Sequence, residues 1–364
     1  MPPSFTARPG LLDGATRIMT PSGETLLSEL TVGDIVFTPD GRPTVVRRIT
    51  SHGTQRAVRV TLKDGRHFIA GVDQIIPHTT YAKATYLRTA PVRVLATDYV
   101  YAMKNGQPGY RYHLPMHDAV EYPEVSHLID PYALGLLIGN GALTQRTLTF
   151  SSDDDTLVAA LTAALDVPMH VAKRTPQSFN WSLSSYTRVD LIRKELRRLD
   201  LMGRTGKQKF IPASYLYDSI AHRRALLDGL LDADGAVHIS PRSQKVNYTF
   251  TSPSTTVVDH AERLAWSLGY AVRKAQNEKR RVGGKLTIYT TDVLGRSPRL
   301  TAPRDGKTHI SHKDRVTPVI RIEDVPPRDM WHIEVDARWF IAADFVTFCD
   351  VRGILPETQH PFLC

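Results

Sequence analysis

The run RRALLDGLLDADG, residues 223–235, is an apolar helical stretch with Gly229 at its centre and Asp234-Gly235 at its end. An earlier run, YALGLLIGNG at residues 132–141, has the same design: Gly135 stands six residues before Gly141, as Gly229 stands six before Gly235. Ahead of it Asp130 offers an N-cap and Pro131 falls in the first turn, where its missing N–H costs nothing. A strand and a turn into another helix follow each run, TFSSDDDTLVAAL (149–161) and TFTSPSTTVVDHAERLAWSL (249–268). Phe150 and Phe250, Ser152 and Ser252, Leu157 and Val257, and Val158 and Val258 match at an offset of 100. Asn140 and Asp234 are 94 apart, so the second hairpin is six residues longer, with SPRSQK (240–245) as the surplus. Two copies of one supersecondary unit imply a pseudo-twofold domain whose chemistry lies where the copies meet.

On either side of the repeats the grammar is β. From Arg17 to Ile69 short β-branched runs are broken by Ser22-Gly23, Asp40-Gly41 and Asp64-Gly65, pairs suited to tight reversals. Strand-like runs return beyond Lys313 in RVTPVIRIEDV and WHIEVDARWFIAADFVTF, whereas the Tyr-rich stretch from Thr79 to Val125 reads as a connecting arm. The expected fold class is α+β: a pseudo-twofold αββαββ domain, residues 126–310, inserted between two parts of an all-β module, residues 1–125 and 311–364.

A length of 364 residues is enough for two or three domains with a core of their own. Cys349 and Cys364 are too few for a disulfide framework, and no His/Cys spacing suggests zinc. The first ten residues lack an apolar leader core and no apolar run is long enough to span a bilayer, so a cytoplasmic protein without membrane contact is expected. Residues 126–310 hold 26 basic and 17 acidic side chains, which equals the +9 of the whole chain; the flanks hold 14 against 11 and 6 against 9. A basic excess confined to the repeats suits a phosphate backbone, although a solvated basic surface gives the same count.

Glycine within each apolar helix permits close backbone approach, which would set the two helix ends, Asn140 and Asp234, side by side. Two oxygen donors at a pseudo-symmetry axis can hold divalent cations about a phosphodiester. LDGLLDADG, Leu227 to Gly235, resembles the signature of the LAGLIDADG homing endonucleases, and ALGLLIGNG, Ala133 to Gly141, resembles the first motif of their intein-embedded members. The resemblance spans Leu128 to Pro303. It implies a monomer with internal pseudo-twofold symmetry that grips a long, pseudo-palindromic duplex DNA site. It also implies Mg²⁺ or Mn²⁺ held by Asp234 and Asn140, where Asn140 brings a carbonyl oxygen but no charge. Lys209, in Lys209-Phe210-Ile211-Pro212, matches the family's lysine near the metal-bound water or scissile phosphate. Strands in the major groove make Lys173, Arg174, Arg273 and Lys274 candidates for DNA contact.

The flanking segments LLDGATRIMTPSGETLLSELTVGDIV and MWHIEVDARWFIAADFVTFCD resemble the Hint fold of inteins. Each alignable splicing position has departed from the pattern: Leu11 replaces the first nucleophile, and Gly71 to Gln74 replaces Thr-x-x-His. Phe348 replaces the penultimate His, Cys349 the cyclising Asn and Asp350 the downstream nucleophile. Neither the initial acyl shift nor Asn cyclisation has its reacting group. The resemblance therefore implies a metal-dependent homing endonuclease within a splicing-inactive Hint remnant. Two other readings stay open: a specific DNA-binding protein or nickase weakened by Asn140, and a divergent self-splicing intein.

Overall fold

The computed structural model describes residues 10–80, 86–103, 106–144, 147–165, 170–173, 180–184, 188–239, 246–276, 283–290, 294–296, 315–350 and 358–359. The chain divides into two compact units, residues 122–309 and residues 1–121 with 310–364.

In the first of these units the two apolar runs form helices, Pro131–Asn140 and Ile220–Asp234, hereafter the first and second motif helices. The Asp130 carboxylate accepts from the backbone N–H groups of Tyr132 and Ala133, and Ser219 Oγ accepts from His222 N–H, so both starts are capped by side chains. Each helix runs directly into a strand at a glycine. Strands Gly141–Ala142, Thr149–Ser151, Asn180–Ser184 and His170–Lys173 make one antiparallel sheet in that order. Strands Gly235–Ile239, Val246–Ser252, Gly284–Tyr289 and Ala271–Gln276 make the other, again with the last two in reversed chain order. Gly141 pairs with Phe150 and Gly235 with Phe250, so the registers also correspond. Helices Asp155–Ala164 and Thr255–Ser267 join the two halves of their sheets. The architecture is αββαββ.

Glycine brings the motif helices into backbone contact. A Cβ on Gly229 would collide with the Tyr132 carbonyl oxygen, and one on Gly135 would meet the Leu226 carbonyl and lie 2.8 Å from Leu230 N. Tyr132, Leu134, Leu136, Leu137, Leu226, Leu227, Leu230 and Leu231 are all buried around this contact. That all-round burial explains why neither helix has a strongly amphipathic pattern.

The other unit is β-rich. Its two longest strands, Pro43–Leu62 and Val316–Val335, pair antiparallel with several register shifts, as β-bulges produce. They belong to a nine-stranded sheet, while Arg17–Thr20 pairs with Gly23–Leu26 and Trp339–Ala342 in a four-stranded one. N-terminal and C-terminal β segments thus share ladders, with Leu12 opposite Trp331 and Ile18 opposite Ala342. Leu12, Ile18, Val60, Phe68, Ile76, Leu114, Val319, Phe340 and Phe348 lie in one apolar core.

The stretch expected as an irregular arm instead contributes strands Tyr86–Pro91 and Tyr112–Pro115 to the nine-stranded sheet. The four residues Tyr112–Pro115 are all buried, so no inside–outside alternation marks the strand in the sequence. The boundary of the repeat unit falls at Tyr122, whose ring packs 5.6 Å from that of Tyr217 and 4.8 Å from the Arg223 guanidinium. Among the described residues no helix is long and apolar enough to cross a membrane.

The helix contact yields a stability test. Gly135→Ala and Gly229→Ala force a methyl onto backbone that cannot yield, at an expected cost of about 2–3 kcal/mol each in urea unfolding. Gly206→Ala, whose added methyl meets nothing nearer than Pro253 Cγ at 3.6 Å, should change stability by less than about 0.5 kcal/mol.

Candidate active site

The C-terminal ends of the motif helices lie against each other. A Cβ on Gly139 would press on the Ala233 methyl and stand 3.4 Å from Asp234 Oδ2, and Asn140 Nδ2 donates to the Ala233 carbonyl at 3.1 Å. The helices therefore bring Asn140 and Asp234 together, both half-buried. The acceptor at Ala233 fixes the Asn140 amide, since the reverse orientation would set two oxygens face to face. Its Oδ1 is left as the donor atom for a cation. Burial pushes the Asp234 carboxyl above the usual carboxylate range, and Lys209 opposes that shift.

Lys209 lies at the end of the first motif helix and lines the same cleft as Asn140. Its ammonium donates to the carbonyls of Leu137, Ile138 and Gly141 at 3.1, 2.8 and 2.7 Å, with Gly139 O at 3.4 Å. The residue is only 4% exposed. Those carbonyls lie at the C-terminal end of the first motif helix, where Leu137 O also accepts from Gly141 N–H, and the dipoles there favour a cation. Lys209 is thus a positioning residue that pins the end of the first motif helix. Its own backbone carbonyl accepts from Ser254 Oγ, the cap of helix Thr255–Ser267, at 2.7 Å. Burial pushes its pKa down to about 8, with Asp234 acting in the opposite direction. A cleft of about 410 Å³ opens beside it, lined by Asn140, Thr144, Ser151, Arg204 and Thr205 among others.

The other acids of the second motif do structural work that the sequence reading did not assign. Asp232 accepts from Tyr132 O–H at 2.7 Å and from Arg296 N–H at 2.8 Å. Asp228 accepts from Gly295 N–H at 2.7 Å and lies 3.6 Å from the Arg224 guanidinium.

In the second sheet Arg273 pairs with Thr287, which pairs with Thr249 and then Ala236. That row points away from the buried Tyr248, Phe250, Leu286 and Ile288, so Arg273 stands exposed on the open face. Lys274, one residue on, faces the other way. It pairs with Asp259 at 3.0 Å and Glu262 at 2.6 Å on helix Thr255–Ser267. Lys173 ends its strand opposite Trp181, the register position that corresponds to Lys274. Arg174 lies outside the described residues. The open-face positions Asn247, Thr287 and Lys285 were not singled out from the sequence, and Thr249 in the same row is buried. Alternation of aromatic with polar residue types along Tyr248-Thr249-Phe250-Thr251 is the signal that marks this face.

In the β unit Gly71 and Gln74 stand beside the Gly10–Leu11 peptide. Gly71 N–H donates to the Leu11 carbonyl at 2.9 Å, and Gln74 Nε2 donates to the Cys349 carbonyl at 3.2 Å. Phe348 packs edge-on against Phe68 and stacks on Phe340. The Asp350 carboxylate accepts from Val335 N–H at 2.7 Å. Sequence reasoning missed His332, whose Nδ1 lies 2.8 Å from the Gly10 carbonyl oxygen and whose Nε2 lies 3.2 Å from Glu334 Oε1. Its place in the run MWHIEV was the available signal.

No family model matches the chain. It is 26% identical over 298 residues to the replicative DNA helicase DnaB of Mycobacterium intracellulare, an alignment covering 77% of this chain and 46% of that protein. The chain thus spans less than half the length of that relative. Among solved structures it is similar to the gp41-1 intein, at 21% identity over 28% of this chain and 77% of the other, with a TM-score of 0.21. It is also similar to the homing endonuclease I-DmoI in complex with DNA and Mn, at 15% identity over 44% of this chain and 89% of the other, with a TM-score of 0.29. The strand orders and the glycine-mediated helix contact define the fold: an αββαββ unit of two repeats joined in sequence to a β-rich unit.

Titration of Lys209 tests the electrostatics of this site. Its side chain is expected to titrate near pH 8 in NMR of the metal-free protein, and Asp234→Asn should lower that midpoint by removing the opposing charge. Below about pH 8 folded and unfolded chains both carry the proton and the cost of the buried charge is fully present. From about 8 to its ordinary 10.5 the unfolded chain binds more protons, so the contribution of Lys209 to stability rises with pH.

Proposed function

We propose that the chain is a site-specific, metal-dependent DNA endonuclease that acts as a monomer on a long duplex site, carried within a splicing-inactive Hint remnant. The observation that carries this reading is the juxtaposition of Asp234 and Asn140 at abutting helix ends in a unit built from two repeats. Both offer oxygen donors, as Mg²⁺ or Mn²⁺ prefers, and a half-buried carboxylate suits a cation more than it suits its own desolvated charge. A bound divalent ion there would supply Lewis-acid polarisation of a phosphate and acidification of water. Asp234 provides the only negative side chain of the pair. Asn140 holds its amide by the Ala233 carbonyl and presents Oδ1, while Lys209 keeps the helix end in place. Arg273 and the polar open faces of the sheets suit contacts to phosphates and base edges, and the basic excess of residues 126–310 suits attraction to a duplex.

Asn140 also supports a reading in which cutting is slow and biased to one strand. The Asn amide makes a hydrogen bond to Ala233 that a carboxylate could not make, so the first motif end is stable without a metal. Loss of one carboxylate in a metal site should cost on the order of a hundredfold in rate. On a target selected from a random duplex library, Asn140→Asp is expected to speed cleavage and reduce strand bias. Asp234→Asn should abolish cutting and leave binding nearly intact. Fast, equal cutting of both strands by the parent chain would remove Asn140 as a handicap, and unchanged cutting by Asp234→Asn would remove the site itself. Affinity should fall steeply with salt.

For the β unit the proposal is inertness. Leu11 has no nucleophile and Phe348 no proton to transfer, so the chain expressed between foreign flanks should give a single intact mass. A ligated flank product would overturn that expectation.

A further inference from the structure

At the opposite end of the second motif helix from Asp234, three metal-ligating side chains converge. Asp218 precedes the helix cap, His222 lies in the first turn, and His127 comes from the segment that leads into the first motif helix. Asp218 Oδ2 is 2.6 Å from His127 Nε2 and 2.9 Å from His222 Nδ1. All three ligand atoms lie within 4.8 Å of one another.

The cluster is held in place by its surroundings. Asp218 Oδ1 accepts from the backbone N–H groups of Val125 and Ser219 at 2.8 and 2.6 Å, which fixes the carboxylate and turns Oδ2 toward the imidazoles. The His127 ring stacks on Tyr215, with centroids 3.7 Å apart and planes at 18°. The side chains of His127 and Asp218 are 3% and 0% exposed, while that of His222 is 29% exposed. One side of the cluster therefore opens to solvent and the other is closed.

We propose that His127, Asp218 and His222 form a binding site for a borderline divalent transition metal of the Zn²⁺ type, which clamps the starts of the two motif helices together. Two imidazole nitrogens and one carboxylate oxygen are a zinc-type donor set, with a water at the fourth position on the exposed side of His222. The set is poor for Mg²⁺, which prefers oxygen throughout. Ligands about 2.1 Å from a tetrahedral ion sit about 3.4 Å apart, so the observed 2.6 and 2.9 Å separations must open by outward rotation of the side chains. The exposed His222 can supply most of that movement. On binding, each imidazole gives up the proton it donates to Oδ2 and, as a neutral ligand, carries its proton on the ring nitrogen that faces away from the metal, so the ion replaces the two hydrogen bonds to Oδ2. The site is separate from the Asn140–Asp234 pair and does not depend on the chain cutting DNA.

The test uses the metal-stripped full chain titrated with Co²⁺, followed by visible absorption, and with Zn²⁺, followed by thermal unfolding. Expected are one equivalent of ligand-field bands of tetrahedral type, their displacement by Zn²⁺, and a rise in Tm of about 5 °C at a hundredfold excess over Kd. His222→Ala should weaken Co²⁺ binding by at least a hundredfold, whereas Asp234→Asn should leave it unchanged. His222→Cys should keep the site and add a sulfur-to-cobalt charge-transfer band, which separates loss of a ligand from loss of folding. Absence of the bands in the parent chain would overturn the proposal and leave a hydrogen-bonded triad only. Their persistence in His222→Ala, or their loss in Asp234→Asn, would equally overturn it.

Discussion

The backbone contact between the two motif helices is the constraint on which the repeat unit depends. Gly135 and Gly229 let the helices touch through their main chains, which no other residue type would permit. Because each helix passes straight into a strand at Gly141 or Gly235, this contact also fixes where both sheets begin. It brings the negative ends of two helices together beside the Asp234 carboxylate. Lys209 relieves part of that concentration of negative charge by donating to the carbonyls at the end of the first. The remaining carboxylate and amide oxygens are suited to a divalent cation for the same electrostatic reason.

The second motif shows how one short run assigns different tasks to the same residue type. Asp228 and Asp232 are four residues apart and share a helix face, where they accept from the backbone of Gly295 and Arg296. Asp234, two residues further, lies instead beside Gly139 at the C-terminal end of the first motif helix. The first two carboxylates are paired and structural. The third is left with burial and one nearby ammonium, which is the condition in which a carboxylate gains most from a metal.

The β unit is held by main-chain ladders and an apolar core. Its ladders join Leu12 to Trp331 and Ile18 to Ala342, and its core includes Phe348. Main-chain hydrogen bonds and apolar burial do not require a nucleophile or a proton carrier. Hydrocarbon at such positions, as at Phe348, adds to the packing. Gln74 and His332 both stand beside Gly10, a placement that the backbone ladders fix.

The sequence by itself determined the duplication, the place of the paired helix ends, the β character of the flanks and the missing splicing groups. Each of these is local: a glycine spacing, an offset of identical residues, a turn pair, or a side-chain type at an aligned position. Only the tertiary structure decided that Lys209 binds carbonyls and that Lys274 pairs with Asp259 and Glu262 while Arg273 stays exposed. It also decided that the Tyr-rich stretch is sheet and that His127, Asp218 and His222 meet. The physical reason is that charge and burial belong to the folded surroundings. A lysine is the same residue in sequence whether it faces solvent, a carboxylate or a helix end. A strand buried on both faces carries no alternation to read, and residues some 90 positions apart become neighbours only when the helices pack.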